Sequence, residues 1–312
     1  AAVLNGQGGF MSAISKMAEI PSDVAATAGQ PGAFTSFFGT DPANLLGVIL
    51  LTSLGTWGLP QMIHKFYAIR NEKAIRAGTV ISTIFAIVVS GGCYFLGGFG
   101  RLFSNNPSFY DASGKVIYDS IIPGILSTLS DAMIGIVVVL VLSASMSTLS
   151  SLVLTSSSTL TLDFLKDNII KDMSEKKQLR TMQVLIVFFI VVSVLLAINP
   201  PTFIAQLMGI RWGALAGAFL APFLYGLYWK GVTKAAVWAS FASGIGITVS
   251  NLFLHYIKSS INAGAIAMVA GLVIVPLVSF ITPKMDRVKV NGIFECYKEK
   301  VTINRAESLE DN

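Results

Sequence analysis

Seven stretches of this chain are apolar over about the 20 residues a helix needs to cross a bilayer core. They run 45–63, 79–96, 132–162, 182–198, 203–228, 235–254 and 263–282. Strands of a closed barrel would alternate in polarity over segments of about ten residues, and Ile134-Gly135-Ile136-Val137-Val138-Val139-Leu140 does not alternate. An all-α polytopic membrane protein is therefore predicted. Composition agrees, because only 12% of the residues are charged, against roughly a quarter in soluble domains.

Cytoplasmic loops next to spans hold an excess of Lys and Arg. Here Lys65, Arg70, Lys73 and Arg76 follow the first span, and Lys166, Lys171, Lys176, Lys177 and Arg180 follow the third. Lys230 and Lys234 follow the fifth, and the tail carries Lys284, Arg287, Lys289, Lys298, Lys300 and Arg305. Outside these stretches there are only Lys16, Arg101, Lys115, Arg211 and Lys258. This alternation predicts a multi-pass protein of the plasma (inner) membrane with its C-terminus in the cytoplasm. Residues 1–41, rich in Gly, Ala, Ser and Pro, are expected to form an external loop region with a short helix, and 98–131 a second external loop. Residues 42–229 hold five spans, 230–282 two more, and 283–312 a cytoplasmic tail. The net charge of +5 is spread over short loops, so no nucleic acid is expected as a partner. Cys93 and Cys296 lie far apart with no metal-like spacing, and neither a disulfide nor a metal cluster is expected. Ala1 to Gly6 has neither an initiator Met nor the pattern of a signal peptide, and reads as a cut end.

Ionisable groups are costly inside a bilayer and mark function where they occur. Within the seven spans Arg211 is the one such residue, and it reads as a snorkelling side chain near a membrane surface. His64 and His255 fall at span ends. An intramembrane protease, a di-metal enzyme or a redox carrier would need clustered His, Asp, Glu or Cys, so an enzyme is not expected.

The third span carries hydroxyls instead. Ala144, Ser147, Thr148, Ser151, Thr155, Ser158 and Thr159 fall within an arc of about 120° at helical pitch. Small and hydroxyl residues also permit close helix packing, but Gly and Ala would serve that purpose. Neutral hydroxyls with a backbone carbonyl are hard oxygen ligands, able to replace the hydration shell of a small cation. The first span carries Leu54-Gly55-Thr56-Trp57-Gly58-Leu59-Pro60-Gln61, where two glycines and a proline free backbone groups at membrane depth. That is tolerated where backbone is buried in protein or lines a cavity, and discontinuous helices form the sites of many secondary transporters. Ser53, Thr56, Trp57 and Gln61 are therefore candidate solute contacts.

The run Ala144-Ser145-Met146-Ser147-Thr148-Leu149-Ser150-Ser151, the segment Trp57-Gly58-Leu59-Pro60-Gln61 and the segment Pro222-Phe223-Leu224-Tyr225-Gly226-Leu227-Tyr228-Trp229-Lys230 together resemble the sodium/solute symporters. The resemblance implies a LeuT-like fold of two inverted five-helix repeats. The first five spans here would be the second repeat, followed by two accessory C-terminal spans. It implies Na+ as coupling ion, held by the Ala144 carbonyl and the hydroxyls of Ser147 and Thr148, with Ser147, Ser150 and Ser151 matching a further sodium site of some members. The partners implied are a small-molecule solute, membrane lipid and a missing N-terminal repeat without which this chain would not transport. Thr52 and Thr56 stand where proline carriers have aromatic residues, no Lys lies in 79–96 as sugar carriers would have, and Gly58-Leu59-Pro60 looks like the pantothenate branch. A small organic acid or amino acid is the solute implied, moved by sodium-coupled symport. A membrane sensor or interaction module and a cation channel are alternatives on the same scaffold.

Overall fold

The computed structural model describes residues 7–22, 27–63, 69, 72–103, 106–112, 114, 116–198 and 204–297. In chain order the helices are α1 (Phe10–Glu19), α2 (Pro42–Trp57), α3 (Pro60–Ile63), α4 (Glu72–Gly98), α5 (Tyr118–Leu126), α6 (Asp131–Thr159), α7 (Glu175–Ile198), α8 (Ile204–Tyr228), α9 (Lys234–Leu254), α10 (Ser260–Ile281) and α11 (Arg287–Phe294). Among the described residues there is no strand, only one isolated bridge between Tyr110 and Val116. The fold is all-α and polytopic, as the apolar runs predict.

Among the described residues six helices are long and apolar enough to cross a membrane: Ala74–Phe103, Asp131–Ile169, Glu175–Ile198, Ile204–Tyr228, Lys234–Leu254 and Ser260–Ile281. The first predicted span is not one continuous helix. α2 has 16 residues and ends at Trp57, and the chain resumes helical form at Pro60. α6 runs for 29 residues and then widens into a π-helical stretch, Leu160–Ile169. Its α-helical part alone rises about 43 Å, more than the roughly 30 Å hydrocarbon core, long enough to span it with tilt or to extend beyond it. The 98–131 segment, predicted as plain loop, contains α5, because Ile121, Ile122 and Ile125 recur at helical spacing and Ile125 is fully buried.

The described residues divide into two compact units, one within 103–203 and one formed by 7–102 with 204–297. In the first, α6 packs on α7 and on the π-helical stretch, with Val153 and Ser157 its only buried residues. The second is centred on α2, α8, α9 and α10, whose mutual contacts enclose Leu51, Ala216, Leu220 and Met268 in one cluster and Ala221, Ala236 and Val275 in another.

Small side chains set the spacing of that bundle. Lipid tails are as apolar as leucine, so helices associate in a bilayer through close van der Waals packing and interhelical hydrogen bonds. Gly244 lies against the Gly217 backbone with no room for a Cβ, and a Cβ on Gly213 would stand 2.5 Å from the Gly264 Cα. Hydrogen bonds cross the same interfaces. The Ser240 hydroxyl donates to the Ala218 carbonyl at 3.1 Å, the Tyr225 hydroxyl to the Leu272 carbonyl at 2.9 Å, and the Thr233 and Thr282 hydroxyls pair at 2.6 Å. In the tight α9–α10 connection, His255 adopts a left-handed φ of 51°, and the Asn251 side chain brackets Ile257 by accepting from its amide at 2.7 Å and donating to its carbonyl at 3.1 Å.

Gly244→Leu is expected to destabilise this bundle by about 1–3 kcal/mol, the usual cost of overpacking. Thermal unfolding of detergent-purified protein measures it, with Gly246→Leu, where a Cβ meets nothing within 4 Å, as the mild comparison.

Candidate functional site

α2 begins where Asp41, just before Pro42, accepts a hydrogen bond from the Asn44 amide at 3.0 Å. Its Asn44 side chain accepts from the Ser259 hydroxyl at 2.9 Å, fastening the start of α2 to the start of α10. From there one stripe faces the bundle. Gly47 rests against Asn262, Leu51 is buried, Gly55 lies against Trp212 and Met268, and Gly58 abuts Ala216 and Leu220.

The candidate solute residues lie elsewhere on the same helix. At helical pitch Ser53, Thr56 and Trp57 are turned about 140° to 240° away from Leu51. Ser53 is exposed, Thr56 half-buried, and Trp57 is 60% exposed. The hydroxyls of Ser53 and Thr56 point back into their own helix, to the Ile49 carbonyl and, at 3.1 Å, to the Ser53 carbonyl. The side chain of Gln61 and all of His64 lie outside the described residues.

Between Trp57 and Pro60 the helical hydrogen-bond ladder is interrupted. Gly58 still donates to the Leu54 carbonyl at 3.3 Å, and Met62 donates to Leu59 three residues back at 2.9 Å. Pro60 has no N–H and disfavours helical backbone at the residue before it, so the Thr56 carbonyl loses its helical partner. The break is held in place because a Cβ on Gly58 would come within 2.7 Å of the Ala216 Cβ and 2.8 Å of its Cα.

In the other unit, the middle of α6 brings three candidate ion ligands together. The Ala144 carbonyl accepts from the Ser147 hydroxyl at 3.1 Å and from the Thr148 hydroxyl at 3.0 Å. Residues three and four along a helix both face the carbonyl at the start of that turn, so Ala-x-x-Ser-Thr spacing produces this cluster from local geometry. Each hydroxyl spends its proton on the carbonyl and keeps its lone pairs outward. Ser150 and Ser151 occupy the next turn, where the Ser151 carbonyl accepts from Thr155 at 2.8 Å. Ser147, Thr148, Ser150 and Ser151 are all exposed, so none of them is used for packing within its own unit. Lower on the helix, buried Ser157 donates to the Val153 carbonyl at 2.7 Å, and the Thr161 hydroxyl is buried with no hydrogen-bond partner. Arg211 is exposed in the second turn of α8. Among the described residues no group of three or more His, Cys, Asp or Glu side chains is placed to hold a metal.

The residues that sequence reasoning missed are the supports. Asn44, Trp212, Ala216 and Ser259 hold α2, yet each looks like an ordinary span residue, and their part depends on which helices become neighbours. The small-residue spacing of Gly209, Gly213, Ala216 and Gly217 was the one available signal.

These features define a multi-pass α-helical membrane protein with one broken helix and one hydroxyl-faced helix. Residues 1–244 match the sodium:solute symporter family. The chain belongs to that family. It is 27% identical to the sodium/pantothenate symporter of Haemophilus influenzae over 272 residues, 85% of this chain and 54% of that protein. It is 26% identical to a sodium/proline symporter of Staphylococcus aureus over 283 residues, 82% of this chain and 52% of that protein. The chain thus spans about half the length of these relatives.

Gly58→Val is expected to lower thermal stability by about 1–3 kcal/mol through overpacking, whereas Trp57→Phe, at an exposed position, changes it by less than about 0.5 kcal/mol. Unfolding of the two variants side by side tests whether the break is clamped as described.

Proposed function

We propose that this chain is the C-terminal part of a symporter that couples sodium movement down its gradient to uptake of a small organic acid or amino acid. The observation that carries the reading is the convergence of the Ala144 carbonyl with the Ser147 and Thr148 hydroxyls on an exposed face of α6. Sodium would be bound by the lone pairs of those hydroxyls and by the carbonyl once their protons rotate away. Neutral oxygens suit this task. They compensate for the lost hydration shell without a fixed negative charge that would hold the ion too tightly to release. Ser150 and Ser151 extend the same face and are proposed as ligands of a further sodium ion together with Ser147.

The solute would contact the broken segment, where the Thr56 carbonyl, which Pro60 cannot serve with an N–H, and the hydroxyls of Ser53 and Thr56 would offer polar contacts, Gln61 would add an amide, and Trp57 would cover the solute as an apolar wall. Ion and solute sites would open to the two sides of the membrane in turn, and no covalent chemistry on the solute is involved. Each sodium ion entering down a potential of 100 mV contributes about 2.3 kcal/mol. The remaining ligands are assigned to an N-terminal repeat lying upstream of these residues, since both named relatives are about twice as long. The basic loops favour a cytoplasmic C-terminus in the plasma (inner) membrane.

In the full-length protein, Ser147→Ala with Thr148→Ala is expected to raise the sodium concentration for half-maximal uptake at least tenfold. A contact to a charged group contributes about 1.5–3 kcal/mol, and 1.4 kcal/mol is tenfold in affinity. Uptake of labelled pantothenate, proline and related acids across a sodium series measures this. Unchanged sodium dependence would remove the site, and uptake that rises linearly with solute would point to a channel.

A further inference from the structure

α2 and α10 run parallel, with Asn44 at Ser259, Gly47 at Asn262, Leu51 at Gly264 and Gly55 at Met268. The 22 residues of α10 rise about 32 Å, close to the roughly 30 Å of a hydrocarbon core. Asn262, in the first turn, therefore stands at one membrane surface. A groove of about 610 Å³ starts there, runs between the two helices as far as Leu50, and follows α10 on to Ile274. Asn262, Ile266, Val269 and Val273 lie within about 60° of one another on α10, and Ala43, Leu46 and Leu50 within about 60° on α2, so each helix turns a single stripe to the groove. Buried Gly47 and Ala265 form its floor, and Leu46, Ile266 and Val273 stand exposed at its rims.

Two properties of the groove specify its occupant. The first is length. From Asn262 to Ile274 it extends about 18 Å, a little more than the roughly 15 Å that is half of a hydrocarbon core. A further membrane-spanning helix would lie along the whole width of the core, whereas one acyl chain ends near its middle. The second is polarity. Asn262 is the only polar side chain in the lining, and it sits at the surface end. Its Oδ1 is shut in against Gly47, where no Cβ would fit, and has no hydrogen-bond partner among the described residues. With the oxygen enclosed, the NH2 is the half of the carboxamide left to face the groove. A donor at the mouth of an apolar trough fits a molecule that carries an acceptor at the head of a hydrocarbon chain.

We propose that this groove holds one acyl chain of an ester-linked glycerophospholipid, drawn from the leaflet at the N-terminal ends of α2 and α10. The Asn262 NH2 donates to the ester carbonyl, and the chain lies over Gly47 and Ala265 towards Ile274. On α2 the groove ends at Leu50, about one turn short of Ser53, so the lipid and the proposed solute contacts occupy successive stretches of the helix. The lipid site rests on α2 and α10 lying in a membrane and not on sodium coupling.

The test uses the full-length protein in phosphatidylcholine vesicles, with a trace of phosphatidylcholine that carries a photoactivatable diazirine midway along one ester-linked chain. After photolysis, peptide mass spectrometry is expected to find adducts on Leu46, Ile266 or Val269. A host of dialkyl ether phosphatidylcholine has no ester carbonyl to compete for Asn262. In that host the yield at these residues is expected to rise about two- to tenfold, the range of one hydrogen bond. Asn262→Leu is expected to remove the rise, and Ala270→Phe, which fills the lower groove and spares Asn262, to reduce the adducts in both hosts. Absence of adducts at these residues, the result if an upstream segment covers the groove, overturns the proposal. So does an equal yield in the two hosts, the result for fluid lipid held by nothing, or a rise that survives Asn262→Leu. Sodium-dependent uptake is not part of the readout, so this result and that of the symport test stand apart.

Discussion

Inside a bilayer every backbone N–H and C=O must find a partner within the protein, because the hydrocarbon supplies none. The long helices of this chain meet that demand automatically. The break between α2 and α3 does not, and it can exist at membrane depth only where protein surrounds it. Gly58 fits against Ala216 and Leu220, and Gly55 against Trp212 and Met268. The stripe of α2 that carries these contacts is the stripe that leaves Ser53 and Trp57 exposed. Clamping the break and presenting the candidate solute contacts are therefore two consequences of one packing arrangement.

The clamp in turn depends on how closely α8, α9 and α10 approach one another. Glycine against glycine or against bare backbone brings their axes together, and hydroxyl-to-carbonyl bonds from Ser240 and Tyr225 join them without stranding a polar group in hydrocarbon. α6 uses its small polar residues differently. Its hydroxyl face is exposed in its own unit, and the bonds that converge on the Ala144 carbonyl are internal to one turn of helix. Serine and threonine thus play two roles in the chain, as seams between helices in α9 and as a bare polar face in α6.

The membership of the chain in the sodium:solute symporter family was legible before any coordinates, because the three segments that resemble it are local runs. The α6 cluster was equally legible: an Ala followed at three and four residues by Ser and Thr needs only helical pitch to form. The break in α2 could be read from Gly58 and Pro60 for the same reason. α5 was missed because the turn residues around it, Asn106-Pro107 and Gly114, outweighed a nine-residue helix whose apolar part, Ile121 to Leu126, is too short to register as a span. The supports of α2 were missed as well. Ser259 reaches Asn44 across 215 residues of sequence, and no local pattern announces such a pairing.

By itself, then, the order of residues determined what depends on short-range chemistry: where helices run, where one must break, and which hydroxyls share a turn. These follow from pitch, from the missing N–H of proline and from the cost of polar groups in hydrocarbon, all of which act over a few residues. The tertiary structure decided which face of α2 is buried and which is left exposed, and that α11 is tied to the end of α8. Those outcomes depend on contacts between residues far apart in the chain, and only folding reveals which small side chains let two backbones meet.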